Sequence, residues 1–179
     1  MESPIYMRPL AAKDFSLIAT WLQDKEFLAT YDYVPPNPMS LMEIVSLWMR
    51  YLNDKEVVVF ALCEKSSDSL IGWLGFDEWD RHNKVATLFI GIGDRTMRGK
   101  GYGKQAVIEL LRYGFNEMKL YRAQLLVLPF NLAGVKLYEG VGFVQEGVSR
   151  QMVLRDDRRY DLLHYGLLRE EWEKREKDI

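Results

Sequence analysis

The sequence predicts an α+β fold, one domain spanning residues 1–179 in which helices flank a mixed sheet, and three observations carry that prediction. Three runs rich in β-branched and aromatic residues, 57–64, 70–79 and 84–93, are separated only by the turn-rich segments "KSSDS" and "DRHN", as in an antiparallel meander. Residues 84–93, a helical pattern at 103–118 and an apolar run at 121–128 then read strand, helix, strand, a unit whose crossover is right-handed and whose strands are parallel. The chain shows no internal repeat, low-complexity segment or linker that would divide it.

Taken in order, "IYMRPL" is a short first strand, and "AKDFSLIATWLQD" carries Phe15, Ile18, Ala19 and Leu22 at helical spacing. The proline-rich "YDYVPPNPM" reads as a loop, since proline lacks an amide donor and biases its predecessor away from helix. Ser40 caps "LMEIVSLWMRYLN", with Glu43 completing a capping box, and Trp48 and Met49 read as core of that helix. After the meander, Val107, Leu110, Leu111, Phe115 and Met118 share one helix face. "NLAGVKLYEGVG" is a short helix capped by Asn131. "FVQEGVSRQMVL" is a strand running into a loop, "RRYDLLHYGLL" is the closing strand, and "REEWEKREKDI" reads as a frayed, solvated helix end.

Composition removes several function classes. With 24 basic against 26 acidic residues the net charge is −2, so no global field draws the chain to nucleic acid or an anionic membrane. One cysteine, Cys63, excludes an internal disulfide, and two separated histidines argue against a metal site. Cys63 lies mid-strand and reads as buried, and His164, also mid-strand, as structural. No apolar run approaches the roughly 18–20 residues that span a bilayer, and "MESPIYMRPL" lacks a signal pattern, so a cytoplasmic protein is expected.

Any anion site must therefore be local, and "RTMRGKGYGKQA" at 95–106 is the candidate. Amides leading into a helix N-terminus bind phosphate because unpaired donors and the positive end of the helix dipole converge there. A nucleotide triphosphate loop needs GxxxxGK followed by Ser or Thr, but Gly93 lies one residue too far from Gly99-Lys100 and Gly101 fills the hydroxyl position. The dinucleotide pattern is met in letters by Gly101, Gly103 and Ala106, without its position at the strand end or the acid about 20 residues on. The third pattern, RxxGxG, is filled by Arg98, Gly101 and Gly103.

On that pattern the chain resembles the GNAT superfamily of N-acetyltransferases. "NLAGVKLYEGVGF" is similar to the family's NxxAxxLYxxxGF segment, with Asn131, Ala133, Leu137, Tyr138, Gly142 and Phe143 in place and Gly134 and Gly140 departing from commoner residues. The closing stretch resembles the branch of ribosomal-protein N-terminal and spermidine N-acetyltransferases. The resemblance implies a GNAT-like domain that transfers the acetyl group of acetyl-CoA to a primary amine by direct attack in a ternary complex. The acceptor is a protein N-terminus or a polyamine-like molecule; no metal, nucleic acid or membrane is implied, and the protein is a monomer or homodimer. A non-catalytic acyl-CoA sensor or interaction module is the rival reading, against which Tyr138 argues.

Acetyl transfer needs a held thioester, a polarised carbonyl, a neutral amine and a proton for the departing thiolate. For holding, Arg98, Gly99, Lys100, Gly101, Tyr102, Gly103 and Lys104 supply amides and charge, and Asn131, Ala133 and Lys136 complete the coenzyme site by resemblance. The resemblance places the backbone of Ile90, Gly91 and Ile92 along the pantetheine arm and thioester oxygen, in a strand splayed from its neighbour. Tyr138, the tyrosine of the LY pair, is the candidate acid. Asp32, Asp77, Glu78 and Asp80 are candidate bases, of which Glu78, acting through water, is preferred. Tyr31, Asp32, Trp79 and Tyr160 suit a cationic amine by charge and cation–π contact.

Overall fold

The computed structural model describes residues 3–33, 39–177 and 179, so the prolines at 35, 36 and 38 of the expected loop lie outside the described residues. One seven-stranded sheet has the order β1-β2-β3-β4-β5-β7-β6. The expected meander is β2 (Val58–Glu64), β3 (Leu70–Asp80) and β4 (Val85–Ile92), all antiparallel, with β1 (Ile5–Pro9) added on the β2 edge. β4, α4 (Tyr102–Asn116) and β5 (Arg122–Val127) form the expected unit, and β4 and β5 are the parallel pair. The fold is α+β, as expected.

Each face of the sheet is covered by a helical layer, and the sequence explains which. Val107, Leu110, Leu111 and Phe115 of α4, with Met118 just beyond its end, are buried against alternate residues of the strands, Phe76, Ala86, Leu88, Ala123 and Leu125 among them. On the other face, α1 (Phe15–Trp21), α2 (Lys25–Tyr31) and α3 (Leu41–Asn53) bury Phe15, Ile18, Phe27, Ile44 and Trp48 around Trp73. Ser40 and Glu43 form the expected capping box.

Four local expectations change. The helix expected through Asp24 stops at Trp21, and α2, which follows it, fills a stretch with too short an apolar period to announce a helix; Asp24 caps it by accepting from the Glu26 amide. Met49 is exposed while Trp48 is buried, because the two lie about 100° apart on α3. β6 (Val144–Arg155) does not dissolve into a loop but pairs with β7 (Arg158–Leu168) to the hairpin tip, its ladder interrupted between Ser149 and Val153. The C-terminal stretch is not a frayed, solvated end: α6 (Arg169–Glu176) docks through Trp172, fully buried and stacked on Phe115 with ring centroids 6.0 Å apart. One tryptophan among charged neighbours is enough to anchor two turns, a signal that average polarity hides.

The step that makes a site is the parting of β4 and β5. They pair only at Val85–Arg122, Ala86–Ala123 and Thr87–Gln124. Beyond Thr87, β4 continues to Ile92 with no strand among the described residues on that edge, so backbone groups face a gap instead of a ladder. α5 (Leu132–Val141) lies beyond the end of β5 on the far side of that gap.

Candidate active site

The gap opens into a cavity of about 660 Å³ whose two ends differ in chemistry. One end is the loop before α4. Gly99 and Gly101 have φ of +74° and +83°, a conformation that L side chains rarely adopt, and a Cβ on either would meet nothing within 4 Å. The loop is thus an open cradle of backbone amides at the N-terminus of a 15-residue helix, with Lys104 in its first turn and Lys136 of α5 across from it. That concave, cationic shape fits a pyrophosphate.

Of the residues expected to hold coenzyme, Ile90, Gly91, Ile92, Arg98, Gly99, Gly101, Gly103, Lys104, Asn131, Ala133 and Lys136 line this one cavity. Lys100 and Tyr102 do not: the Lys100 ammonium lies 3.7 Å from the Met97 sulfur, and the Tyr102 hydroxyl donates to Glu64 at 3.2 Å. Arg98 does less direct work than its motif suggests. Its Nε donates to the Ile92 carbonyl and its Nη2 to the Gly93 carbonyl, both at 2.9 Å, so it ties the end of β4 beneath the cradle. Replacing Arg98 with alanine is expected to destabilise the fold by about 2 kcal/mol, since bonds from a charged donor are lost and two carbonyls orphaned. Urea denaturation measures it, with weaker coenzyme binding in calorimetry as the second readout.

The middle of the cavity holds Tyr138, half-buried on α5 with its ring against Phe143 at 6.0 Å. Its hydroxyl has no hydrogen-bond partner among the described residues, and burial pushes its pKa up to about 12. It is a protonated phenol on the cavity wall. Asn131 sets α5 in place twice: its Oδ1 accepts from the Gly134 amide as N-cap, and its Nδ2 donates to the Thr30 carbonyl on α2. Asn131→Ala is expected to cost about 1 kcal/mol through the cap alone, checked by thermal melting.

The other end is aromatic and acidic, built from Tyr31, Tyr33, Tyr51, Phe89, Asp32 and Asp77, while Phe27 stands between it and Arg98, whose guanidinium lies 5.0 Å from the Phe27 ring centroid. Tyr31 is structural as well as lining: its hydroxyl accepts from Trp73 Nε1 at 2.7 Å, and burial raises its pKa far above the ordinary phenol value. Only glycine fits beneath it, because a Cβ on Gly91 would come within 3.0 Å of both the Trp73 and Tyr31 rings. Asp77 is half-buried, and burial, helped by the neighbouring charges of Glu78 and Asp32, raises its pKa to about 6.

The structure separates Glu78 from this cavity. Glu78 has φ +49° at an irregularity in the β3–β4 ladder, and its carboxylate accepts from Thr87 Oγ1 at 2.8 Å in a neighbouring polar trough with Arg122, Gln124, Glu146 and His164. Asp77, one residue earlier and directly across from Thr87, lines the cavity. Asp80 is held by Asn83 in the β3–β4 turn. Trp79 lines neither space and is stacked under Arg81, 3.6 Å from its ring centroid. Tyr160 packs edge-on to Phe130 at 5.0 Å, beside Leu128 and Leu162 of the cavity wall. Cys63 is buried on β2, and His164 accepts or donates a hydrogen bond with Ser149 at 2.8 Å.

Sequence reasoning missed Tyr51, Phe89 and the helix that carries Phe27. Phe89 was legible: it alternates with Ala86 and Leu88 along β4 and so faces the helices of the opposite layer.

Comparison with known proteins agrees with this architecture. The family model described as "Acetyltransferase (GNAT) domain" matches residues 5–144. The putative ribosomal N-acetyltransferase YdaF of Bacillus subtilis is 28% identical over 174 residues, covering 94% of this chain and 93% of that one. The spermidine N(1)-acetyltransferase of Vibrio cholerae is 28% identical over 147 residues, 82% and 83% of the two chains. A crystal structure of a spermidine N-acetyltransferase from Vibrio cholerae, in complex with CoA and spermine, superposes with a TM-score of 0.88 at 23% identity, over 96% of this chain and 99% of that one. A family match across most of the chain, on a sheet parted where such a domain needs it, means that the chain belongs to the GNAT acetyltransferase domain family and is an N-acetyltransferase.

Proposed function

We propose that the protein transfers the acetyl group of acetyl-CoA to a primary amine, a protein N-terminus or a polyamine-like small molecule, by direct attack within a ternary complex. The observation that carries this reading is the polarity of the cavity. Lys104, Lys136 and the glycine cradle stand at one end, Asp32, Asp77 and a ring of aromatics at the other, and Tyr138 lies on the wall they share. An anionic coenzyme and a cationic amine are drawn to opposite ends of one space.

Bound acetyl-CoA supplies an acetyl group activated as a thioester. The cradle holds its pyrophosphate, and the unpaired edge of β4 at Ile90–Ile92 aligns the pantetheine arm and directs an amide at the thioester oxygen. One such pre-aimed donor contributes about 3–4 kcal/mol to the transition state. Asp77, ionised above about pH 6, takes a proton from the acceptor ammonium and leaves the amine lone pair free to attack. As the carbon–sulfur bond breaks, the Tyr138 hydroxyl gives its proton to the departing sulfur, and the nitrogen, now bonded to the acetyl carbon, sheds its surplus proton, which through solvent restores the phenol.

Direct attack fits the absence of a cysteine from the cavity: Cys63, the one cysteine in the sequence, is buried on β2. The opposing arrangement of charge also speaks against a sensor, which would need no acid-rich second end. We further read the protein as cytoplasmic; no helix among the described residues is long and apolar enough to cross a membrane. The experiment is thiol release from acetyl-CoA against a panel of polyamines, amino-terminal peptides and small amines. Release with several amines supports the reading, and tight acetyl-CoA binding with no turnover on any of them overturns it in favour of a sensor.

A further inference from the structure

Among the described residues two charged side chains are buried, Asp14 and Arg155, and they differ in a telling way. Asp14 is fully answered: Arg8 donates to both of its oxygens at 2.7 and 2.8 Å, and the Ala11 amide donates at 2.9 Å. Arg155 is only 9% exposed, and its Nη2 donates to the carbonyl oxygen of Asp32. Its Nε and Nη1 are buried with no partner, and no other charged side chain among the described residues is left in that condition.

A guanidinium cannot escape such a position by losing its proton, since it stays charged at any accessible pH. Burying a cation with two donor nitrogens unmet is costly, unless a ligand meets them. The place suggests which ligand. Arg155 is the last residue of β6, two beyond Val153 on the same strand face, and Val153 packs with Leu128 and Leu162, both of the cavity wall. Its one partner, Asp32, lines the acidic end of the same cavity. Arg155 is not itself a lining residue; its covered donors stand behind the wall at the end assigned to the amine, joined to that wall through Asp32.

We propose that Arg155 receives a carboxylate of the acceptor, so that the favoured acceptors are primary amines that also carry a carboxylate, amino acids or short peptides with a reachable acid group. This rests on the acetyl-transfer reading and sharpens its acceptor. Asp77 takes the ammonium and Arg155, reached past Asp32, the carboxylate, and the cavity is complementary to a zwitterion where a polyamine would leave the guanidinium unanswered. Arg155 makes no bond to reacting atoms; it fixes which molecules place their amine correctly.

The test is a set of ω-amino acids of increasing chain length, each paired with its ω-amino amide and its diamine, assayed by thiol release with wild type, Arg155→Gln and Arg155→Lys. The expected result is that wild type prefers the acid over the amide of the best chain length by at least about tenfold in kcat/KM, the worth of one charge-assisted hydrogen bond. In Arg155→Gln that preference collapses through KM, and Arg155→Lys restores part of it. Amides and diamines acetylated as well as the acids by wild type overturn the proposal, as does an Arg155→Gln variant that slows all three series equally at unchanged melting temperature, which is the mark of a strut between the hairpin and α2. If no amine releases thiol, the acetyl-transfer reading fails by itself. The proposal is then decided by calorimetric titration of the acids and amides into the CoA-loaded protein: acid-selective binding that Arg155→Gln removes supports it, and equal binding of the two overturns it.

Discussion

Replacing Tyr138 with phenylalanine is expected to lower kcat about a hundredfold or more while coenzyme affinity stays within a factor of two. The change removes one oxygen and leaves the ring on Phe143, so α5 keeps its packing. No protein hydrogen bond among the described residues depends on that oxygen, so a loss of rate cannot be charged to a broken network. A pKa near 12 makes the phenol a weaker acid than in water, where it sits near 10 against about 8.5 for a thiol. The same burial that disfavours phenolate disfavours free thiolate at the same spot, so the mismatch narrows once both groups share the dry wall. What remains favours a proton passing to sulfur as the bond breaks rather than after it. A kcat within twofold of wild type would remove Tyr138 from the chemistry and leave it as packing.

The rate should also be measured under single-turnover conditions. If product release limits the wild-type steady state, a chemical defect is partly hidden in kcat and fully visible in the burst.

How much of this was legible beforehand follows the range of the interactions. The sheet order through the meander and the parallel unit could be read from runs and turns, because each is set by neighbours in sequence. The open glycine loop before α4 was legible for the same reason: glycine at 99 and 101 is demanded locally, by positive φ. The aromatic, acidic end of the cavity was not. α2 is seven residues long, held by contacts from far away: Trp73 to Tyr31, Asn131 to Thr30, Arg155 to Asp32, and Arg95 to Asp24 and Glu26. Such a helix has little helical free energy of its own, so tertiary contacts create it and local pattern is nearly blind to it. Trp172 teaches the same lesson at the C-terminus, where one buried ring outweighs the seven charged neighbours it has in α6.

Which of two adjacent carboxylates lines the cavity was hidden for a different reason. Asp77 and Glu78 follow each other at the end of β3, and strict alternation says only that they part to opposite faces, not which face holds the cavity. The ladder irregularity then turns Glu78 into the left-handed region, so even alternation does not survive there. That decision belongs to the pairing with β4, specifically to Asp77 lying across from Thr87.

The consequence is the prediction with the largest expected effect. Asp77→Asn should lower kcat/KM at pH 7 by about 10²- to 10⁴-fold, the usual range for loss of a positioned base. Glu78→Gln, whose carboxylate lies in the neighbouring trough, should lower it far less. The sign with pH is fixed by the direction of the shift. Burial and two neighbouring carboxylates raise the Asp77 pKa to about 6, so the base is protonated and idle below that pH and active above it. Wild-type kcat/KM should therefore climb through pH 6, with a limb that Asp77→Asn abolishes. The deficit of the variant should also shrink as pH rises toward the acceptor's own pKa, about 8 for a peptide α-amine and about 10.4 for a lysine-like amine, because the solvent then supplies the neutral amine that Asp77 would have made. A purely structural role for Asp77 predicts a deficit that stays constant with pH. A limb near pH 6 that survives in Asp77→Asn but disappears in Glu78→Gln would return the base to Glu78 and refute the assignment made from the cavity wall.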